Sequence, residues 1–244
     1  MASPILRKKA NLKPAAELNV RYIEKSHQEC QLKNLCAALV FCIISVTSLA
    51  QTADEKWIDQ KELTKDFCFS VKYSFSETEA KGAPLALRIR GRGSNTVTQE
   101  IAIDEAYPTD APLDQRLSIV DINFDGYPDI DLYAASGGAG PNDTHFFYIF
   151  DPIEKTFQFN SKLSSLTQVA IDPKKKIITS AYRDGCCSHS SETYSFIAGR
   201  LTLVESWDET LQSEEGDISY VITTTGKLLN GKMIYSTTKV REKN

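Results

Sequence analysis

The chain has few of the residues that commonly carry catalysis. It holds 3 histidines in 244 residues, and only His145 and His189 lie beyond residue 50. Neither stands in the H-E-x-x-H pattern of a zinc protease, and no G-x-S-x-G nucleophile elbow occurs. There is also no C-x-x-C pair, the usual motif of a thiol oxidoreductase. We therefore expect a protein that is not an enzyme.

An excess of positive charge is absent as well. Residues 51–244 carry 21 Lys and Arg against 29 Asp and Glu, which gives this part of the chain a net charge of −8. A surface that binds phosphate groups needs a basic stripe, so the composition argues against a nucleic-acid partner. An acidic surface suits a basic protein partner instead.

The chain lacks an apolar run long enough for a comfortable membrane span. Its uncharged apolar stretch, 35–50, is shorter than the roughly 20 residues required, and 48–50 has the small-x-small pattern of a signal-peptidase site. We expect residues 1–50 to be an N-terminal extension plus signal peptide, with the true start near Leu32, and residues 51–244 to form a single β domain. If the signal peptide is cleaved, we expect a periplasmic or secreted protein without a membrane anchor. The alternative is a cytoplasmic tail followed by a signal anchor.

Helical periodicity is scarce, and alternation of apolar and polar residues takes its place. Short strands separated by turns indicate an all-β sandwich, barrel or propeller. We predict an all-β fold, propeller-like or a sandwich of short antiparallel hairpins, with one short helix near 52–64. Three similar hairpins are expected at 148–157, 194–203 and 218–228. The runs with period two are 67–75, 85–90, 97–103, 145–150, 176–182, 193–197, 201–204 and 218–222.

The densest group of oxygen-bearing side chains lies in a D-x-N-x-D-G-x-x-D loop at 121–129. The segments on either side, 116–121 and 130–134, have the pattern of strands. Carboxylates this close repel one another, and a hard cation such as calcium takes six to eight oxygen ligands. The predicted Ca²⁺ ligands are Asp121, Asn123, Asp125, the backbone carbonyl of Tyr127, and Asp129, which binds directly or through a water.

The loop lacks the last ligand of a helix-loop-helix calcium hand. The twelfth position, where that motif has a bidentate Glu, is Leu132. The site should therefore be weak, in the class of extracellular modules with dissociation constants of roughly 10⁻⁴–10⁻³ M. The alternative is an Asx-rich turn between two strands that binds nothing.

Cysteine is sparse after the predicted cleavage site. Cys68, Cys186 and Cys187 remain, and in an oxidising compartment three cysteines allow one bridge and one free thiol. A bridge from Cys68 to Cys186 or to Cys187 would join the first strand to a late loop. A bridge between Cys186 and Cys187 is the third possibility. In each case we expect a structural role.

The order of these features resembles a family. The metal loop is followed by a Gly-rich segment at 136–142, an aromatic hairpin at 148–157, a Cys-Cys cluster at 185–189 and a second hairpin at 194–201. Together they resemble exported bacterial proteins related to a Xanthomonas immunity protein, which binds a peptidoglycan-cleaving, lysozyme-like toxin of a bacterial-killing secretion system. The resemblance spans roughly Phe67 to Leu203. It implies a calcium-dependent, propeller-like fold, similar to a periplasmic inhibitor of invertebrate-type lysozymes.

The resemblance also implies a function and a second site. The protein would be an inhibitor or immunity protein that binds a peptidoglycan hydrolase and blocks its cleft with a loop from Ser136 to His145. Bound calcium would hold the base of that loop and reduce the ordering cost of binding. The implied partner-binding residues are Ser136, Gly137, Gly138, Asn142 and His145.

Two further readings of a calcium-bound β domain stay open. One is a carbohydrate-binding module, because such modules bind glycans through exposed aromatic rings. The other is a structural envelope protein in which calcium serves stability alone. The candidate glycan-binding aromatic residues are Trp57, Trp207, Tyr107 and Tyr127.

Overall fold

The computed structural model describes residues 54–242, except 77–78, 95, 105–106, 109, 138–141 and 215–217. The predicted signal segment and Gly138 lie outside the described residues. Within them, no helix is long and apolar enough to cross a membrane. The elements are β1 Asp54–Leu63, β2 Phe67–Ser76, β3 Glu79–Gly91, β4 Val97–Ala102, β5 Leu117–Val120, β6 Asp129–Gly137, β7 Asn142–Asp151, β8 Thr156–Phe159, α1 Ser161–Ser164, β9 Ala170–Asp172, β10 Ile177–Asp184, β11 Ser188–Ile197, β12 Arg200–Glu214, β13 Ile218–Leu229 and β14 Lys232–Arg241.

The strands form three sheets in which chain neighbours pair antiparallel. Sheet A has the order β1-β2-β3-β4, sheet B has β5-β6-β7-β8, and sheet C has β14-β13-β12-β11-β10-β9. The prediction of an all-β fold built from antiparallel hairpins is confirmed. Across the described ranges the arrangement is sandwich-like, with no closed barrel.

Sheet B is the middle layer, because each of its two faces supports a hydrophobic cluster. Ile130, Leu132 and Tyr148 pack with Phe69, Val71 and other residues of sheet A. Successive side chains of a strand point to opposite faces, so the alternate residues of β7 pack the other way. Phe147 is buried with residues of α1 and sheet C, and Ile149 packs against that same cluster. The second cluster contains Ile122, Phe147, Leu163, Leu166, Ile178, Tyr194 and Leu201.

Two elements differ from the sequence-based expectation. The helix expected near 52–64 is wrong over its described part, because β1 occupies that stretch and pairs with β2 from Asp54↔Phe75 to Leu63↔Cys68. The hairpin expected at 218–228 is also wrong, because β13 runs without a turn through Gly226. The other two hairpins are confirmed: β7 pairs with β8, and β11 pairs with β12.

The buried guanidinium of Arg116 links sheet A to sheet B through hydrogen bonds. The Arg116 side chain is 2% exposed, and its guanidinium donates to the backbone carbonyls of Gly82, Tyr107 and Ala134, each at 3.1 Å. Gly82 lies in β3 and Ala134 in β6. Burial lowers the pKa of Arg116 from its usual value. Since five N–H groups in a rigid fork can serve several acceptors at once, arginine suits this position.

Candidate metal centre and a separate groove

The D-x-N-x-D-G-x-x-D loop joins β5 to β6, as the sequence predicts, and the pair Val120↔Asp129 closes it. Two positions in the turn adopt left-handed backbone angles, Phe124 with φ of 62° and Gly126 with φ of 90°. Such angles are uncommon for a residue with a side chain, and glycine adopts them without steric cost. This curl brings the amides of the loop over the first carboxylate.

Asp121 is the acceptor at the centre of that curl. Its Oδ1 accepts the backbone N–H of Asp125 at 3.0 Å, and its Oδ2 accepts the N–H of Gly126 at 3.0 Å. Asn123 Oδ1 also accepts the N–H of Asp125 at 3.0 Å. The side chains of the first two predicted ligands are therefore held within one turn.

Asp125 lies on the exposed side of the same turn. One of its carboxylate oxygens accepts the N–H of Tyr127 at 2.9 Å, and the other accepts the side-chain amide of Asn123 at 2.7 Å. The Tyr127 ring is 6.0 Å from the ring of Phe150 and 45% exposed. The structure thus brings four of the predicted residues into one short loop.

Asp129 differs from the others because it is completely buried. Its oxygens accept the N–H of Ile122 at 3.0 Å and the N–H of Phe150 at 2.8 Å, so it ties the loop to β7. Burial raises the pKa of Asp129 to about 6, and the neighbouring Asp125 charge adds to that rise. A carboxylate in this environment is stabilised in its ionised form by a nearby cation.

The donor set fits a hard cation in part. All the predicted side-chain ligands present oxygen, and two of them are carboxylates within one turn, which suits calcium rather than a transition metal. Over the described ranges, however, no three His, Cys, Asp or Glu side chains converge on one point. A cation here would therefore rely on Asn123, backbone carbonyls and water besides the carboxylates. Calcium remains a prediction.

The loop implied to bind a partner lies at the other end of β6. Ser136 and Gly137 finish β6 and are exposed, whereas Asp129 begins it. Gly137 follows Asp129 by eight positions along the strand, a span of roughly 26 Å at ~3.3 Å per residue. The expectation that a bound cation directly holds the base of this loop is therefore wrong.

Two of the implied partner-binding residues are occupied by bonds within the chain. Asn142 is buried, and its amide donates to the carbonyl of Arg183 at 2.8 Å and accepts from Arg183 N and Gln168 Nε2. It joins sheet B to sheet C. His145 is half-buried, and its Nδ1 lies 2.5 Å from Asp131 Oδ1. These contacts give Asn142 and His145 structural roles that motif reading did not reveal.

A groove of about 720 Å³ lies beside Ser136 and Gly137. Residues of all three sheets or their connections border it, and exposed rings of Tyr107 and Tyr182 stand at its sides. Lys81 and Asp110, which form an ion pair at 2.7 Å, lie on one wall. The remaining lining residues are Pro108, Ala111, Tyr133, Ala135, Asn142, Thr144 and Thr167.

The cysteines follow the third of the predicted arrangements. Cys186 and Cys187 form a disulfide in the turn between β10 and β11, and Cys68 is a free cysteine. The two alternatives in which Cys68 takes part in the bridge are wrong. The physical reason is topological: Cys68 lies in β2 of sheet A, the other two lie in the turn that joins β10 and β11 of sheet C, and these sheets contact opposite faces of sheet B.

The aromatic residues proposed for glycan binding are dispersed. Trp57 lies on β1 beneath the guanidinium of Arg88, 3.7 Å from the ring centroid. Trp207 borders a separate groove on sheet C, and Tyr127 lies in the metal loop. Only Tyr107 lines the groove beside Ser136. The four residues therefore do not form a common platform.

Comparison with known proteins gives one likeness of fold. Neither a protein-family profile nor a curated protein sequence matches the chain. A solved structure described as that of a Xanthomonas Type IV secretion system related protein is similar, with a TM-score of 0.51 and 20% identity. The similarity covers 77% of this chain and 95% of that one. At this identity, the comparison shows a shared fold.

Proposed function

We propose that the protein is an exported calcium-binding protein that binds and inhibits a lysozyme-like peptidoglycan hydrolase. The observation that carries the proposal is the pair of sites at the two ends of β6. One end has the oxygen-rich loop around Asp121 and Asp129, and the other has exposed Ser136 and Gly137 beside an open groove. The shared fold with a secretion-system related protein supports a role in the cell envelope.

In this proposal the metal stabilises the fold, and the end of β6 beside the groove binds the partner. A cation at the loop offsets the repulsion between Asp121 and Asp125 and the desolvation of Asp129. The fixed bond from Phe150 N–H to Asp129 carries that stabilisation into β7. Docking then uses the far end, where a rigid sheet reduces the ordering cost of association.

The chemistry of the groove end suits an enzyme cleft. Glycan hydrolases cleave with paired carboxylates in an open cleft. The Ser136 hydroxyl can donate to such a carboxylate, and the rings of Tyr107 and Tyr182 offer the large, rigid contact area typical of interface anchors. The net charge of −8 on residues 51–244 favours a basic partner through long-range attraction.

The test is inhibition of purified lysozymes, assayed as clearing of suspended peptidoglycan. The protein should slow clearing by at least one member of a panel that includes invertebrate-type lysozymes. Ser136→Glu should weaken inhibition at least tenfold, because it places a carboxylate against the catalytic carboxylates. Ser118→Glu is the matched control, since Ser118 is also an exposed serine on sheet B but lies on β5. Equal inhibition by both variants, or no inhibition of any hydrolase, contradicts the proposal.

One observation favours a second candidate, a glycan-binding module. Tyr107, Tyr133 and Tyr182 all line the same groove, and stacked rings are common in sugar sites. Co-sedimentation of the protein with insoluble peptidoglycan separates the two functions. Sedimentation that is lost in Tyr107→Ala, without any inhibition of hydrolases, would replace the inhibitor proposal with this one.

A further inference from the structure

The last two strands of sheet C extend beyond the hydrophobic core. None of the described residues in the two hydrophobic clusters comes from β13 or β14. Ile234, Tyr235 and Val240 are each more than half exposed. The hairpin is nevertheless regular: Asn230 and Gly231 have φ of 50° and 78°, as in a two-residue type I′ turn, and ten residue pairs follow in register.

The outer edge of β14 directs a second set of backbone hydrogen-bonding groups away from β13. β14 ends the order of sheet C, so one of its sides pairs with β13 and the other has no strand beside it among the described residues. Glu242 N–H donates to Ser219 O at 2.8 Å, so these two opposite residues form a hydrogen-bonded pair. Because such pairs alternate along an antiparallel ladder, the even-numbered residues of β14 direct their N–H and C=O groups to β13. The Thr224 and Thr237 hydroxyls lie 3.0 Å apart, as expected for the closer, non-hydrogen-bonded pairs. The odd-numbered residues, Met233, Tyr235, Thr237, Lys239 and Arg241, therefore direct their N–H and C=O groups outward.

We propose that β14 pairs antiparallel with β14 of a second copy of this chain, about a two-fold axis at Thr237. In an interface of this symmetry each contact occurs twice, and the surface must complement itself. The sequence of β14 does so in this register. Ile234 faces Val240 of the second copy, and Lys232 faces Glu242 of the second copy. The hydrogen-bonding pattern also fits this register, because each odd-numbered residue, whose backbone groups point outward, lies opposite an odd-numbered residue of the second copy.

Other registers lose this complementarity. A shift of two residues in one direction places Lys232 opposite Val240 and Ile234 opposite Thr238. A shift in the other direction places Glu242 opposite Ile234. A shift of one residue pairs outward-directed groups with groups already bonded to β13. Because register is set by which side chains face each other, the contacts of Lys232 with Glu242 and of Ile234 with Val240 favour the proposed register. The same register places Arg241 opposite Met233 and Lys239 opposite Tyr235.

The lysines of β14 could instead protect the edge, since charged residues often prevent association of edge strands. Lysine protects an edge when it would face an apolar residue or another cation. In the proposed register Lys232 meets a carboxylate, and Lys239 faces the ring of Tyr235, whose face attracts a cation. Both lysines are therefore compatible with a second copy. The arrangement is a form of strand addition in which main-chain bonds hold the pair and side chains select it.

The test is sedimentation velocity of the purified protein from about 1 to about 200 µM, where mass action should convert monomer to dimer. Lys232→Glu and Glu242→Lys should each weaken dimerisation at least tenfold, because each creates two like-charge contacts. An equimolar mixture of these two variants should dimerise again, because all facing charges become opposite. Lys174→Glu, the same charge change in an exposed turn away from β14, should dimerise like the wild type.

A backbone variant tests the edge independently of charge. Thr237→Pro removes an outward N–H at the two-fold axis and leaves the bonds to β13 in place, so its circular dichroism should be unchanged while its dimer is lost. A wild-type protein that stays monomeric at about 200 µM overturns the proposal. So does a dimer that is indifferent to both charge reversals and to the proline.

Discussion

Calcium should stabilise this protein against heat, and Asp125→Ala should abolish the effect. Among the predicted side-chain ligands Asp125 alone is exposed, and its carboxylate bonds within the loop, to Tyr127 N–H and the Asn123 amide. Its replacement removes a metal ligand without opening the core. The comparison is therefore between the calcium responses of two proteins with the same fold.

The expected magnitude follows from binding linkage. A ligand that binds only the folded state adds RT ln(1 + [L]/Kd) to the free energy of unfolding. With Kd of roughly 10⁻⁴–10⁻³ M and calcium at about 10 mM, this term is about 1.4–2.7 kcal/mol. A domain of this size gains roughly 2–4 °C in Tm per kcal/mol, so the rise should be about 3–11 °C.

Differential scanning calorimetry of chelator-stripped protein, with calcium added back, measures that rise. Asp172→Ala supplies a matched control, because Asp172 also accepts two turn amides, those of Lys174 and Lys175, in the turn between β9 and β10. That variant should keep the full calcium response. The reasoning fails if Asp125→Ala responds like the wild type, or if about 10 mM calcium leaves the wild-type Tm unchanged.

Two further predictions concern buried polar groups. Arg116→Met should lower the free energy of unfolding by about 3 kcal/mol in urea denaturation, because three carbonyls, two of them in buried hydrogen bonds, lose a donor worth ~1–3 kcal/mol each, and removal of the buried cation offsets part of that loss. Arg92→Met, whose exposed guanidinium bonds to one carbonyl, should change it by less than ~0.5 kcal/mol, and equal effects would refute the role of Arg116. Burial raises the pKa of Tyr73 to about 12, so its stabilisation is complete below pH ~10, the unfolded value, and is lost as pH rises through 12. Tyr73→Phe should therefore reduce the loss of stability over pH 10–12 by up to ~1.4 kcal/mol per pH unit, and an unchanged slope would contradict the assignment.

The sequence predicts the strands best where one face is buried. β2 alternates Phe69, Val71 and Tyr73 with polar residues, and all three side chains are buried. β1 was missed because it is an edge strand with one buried residue, Gln60, and so it has no clear apolar period. Its conformation depends on pairing with β2, which no local pattern reports.

The prediction of a third hairpin at 218–228 was wrong for a different reason, which concerns Gly226. Glycine after polar residues is typical of a turn. In β13 it lies mid-strand, where a Cβ would come within 2.7 Å of the Tyr235 ring and 2.4 Å of Ser206 Oγ. The glycine makes room for an aromatic ring from the neighbouring strand, and that requirement becomes visible only when the register Gly226↔Tyr235 is known.

The sequence predicted the contacts within the loop at 121–129 but not the contacts between that loop, the groove and distant strands. The spacing from Asp121 to Asp129 identified the loop, because those residues meet within one turn. The bond from Phe150 to Asp129 spans 21 residues, and Asn142 bonds to Arg183 across 41 residues. Contacts of that separation depend on how the sheets stack. For the same reason the sequence did not show that the loop and the groove lie at opposite ends of β6.

The central position of sheet B has a consequence for how the molecule can be divided. Both faces of sheet B are covered, so its stability depends on both neighbouring sheets. Loss of sheet A would expose to water the apolar side chains of sheet B that pack with Phe69. Loss of the first strands of sheet C would expose Phe147 and its neighbours on the other face. The three layers should accordingly melt together as one unit. The β13–β14 hairpin contributes no described residue to either hydrophobic cluster, so substitutions at its exposed positions should leave that transition nearly unchanged.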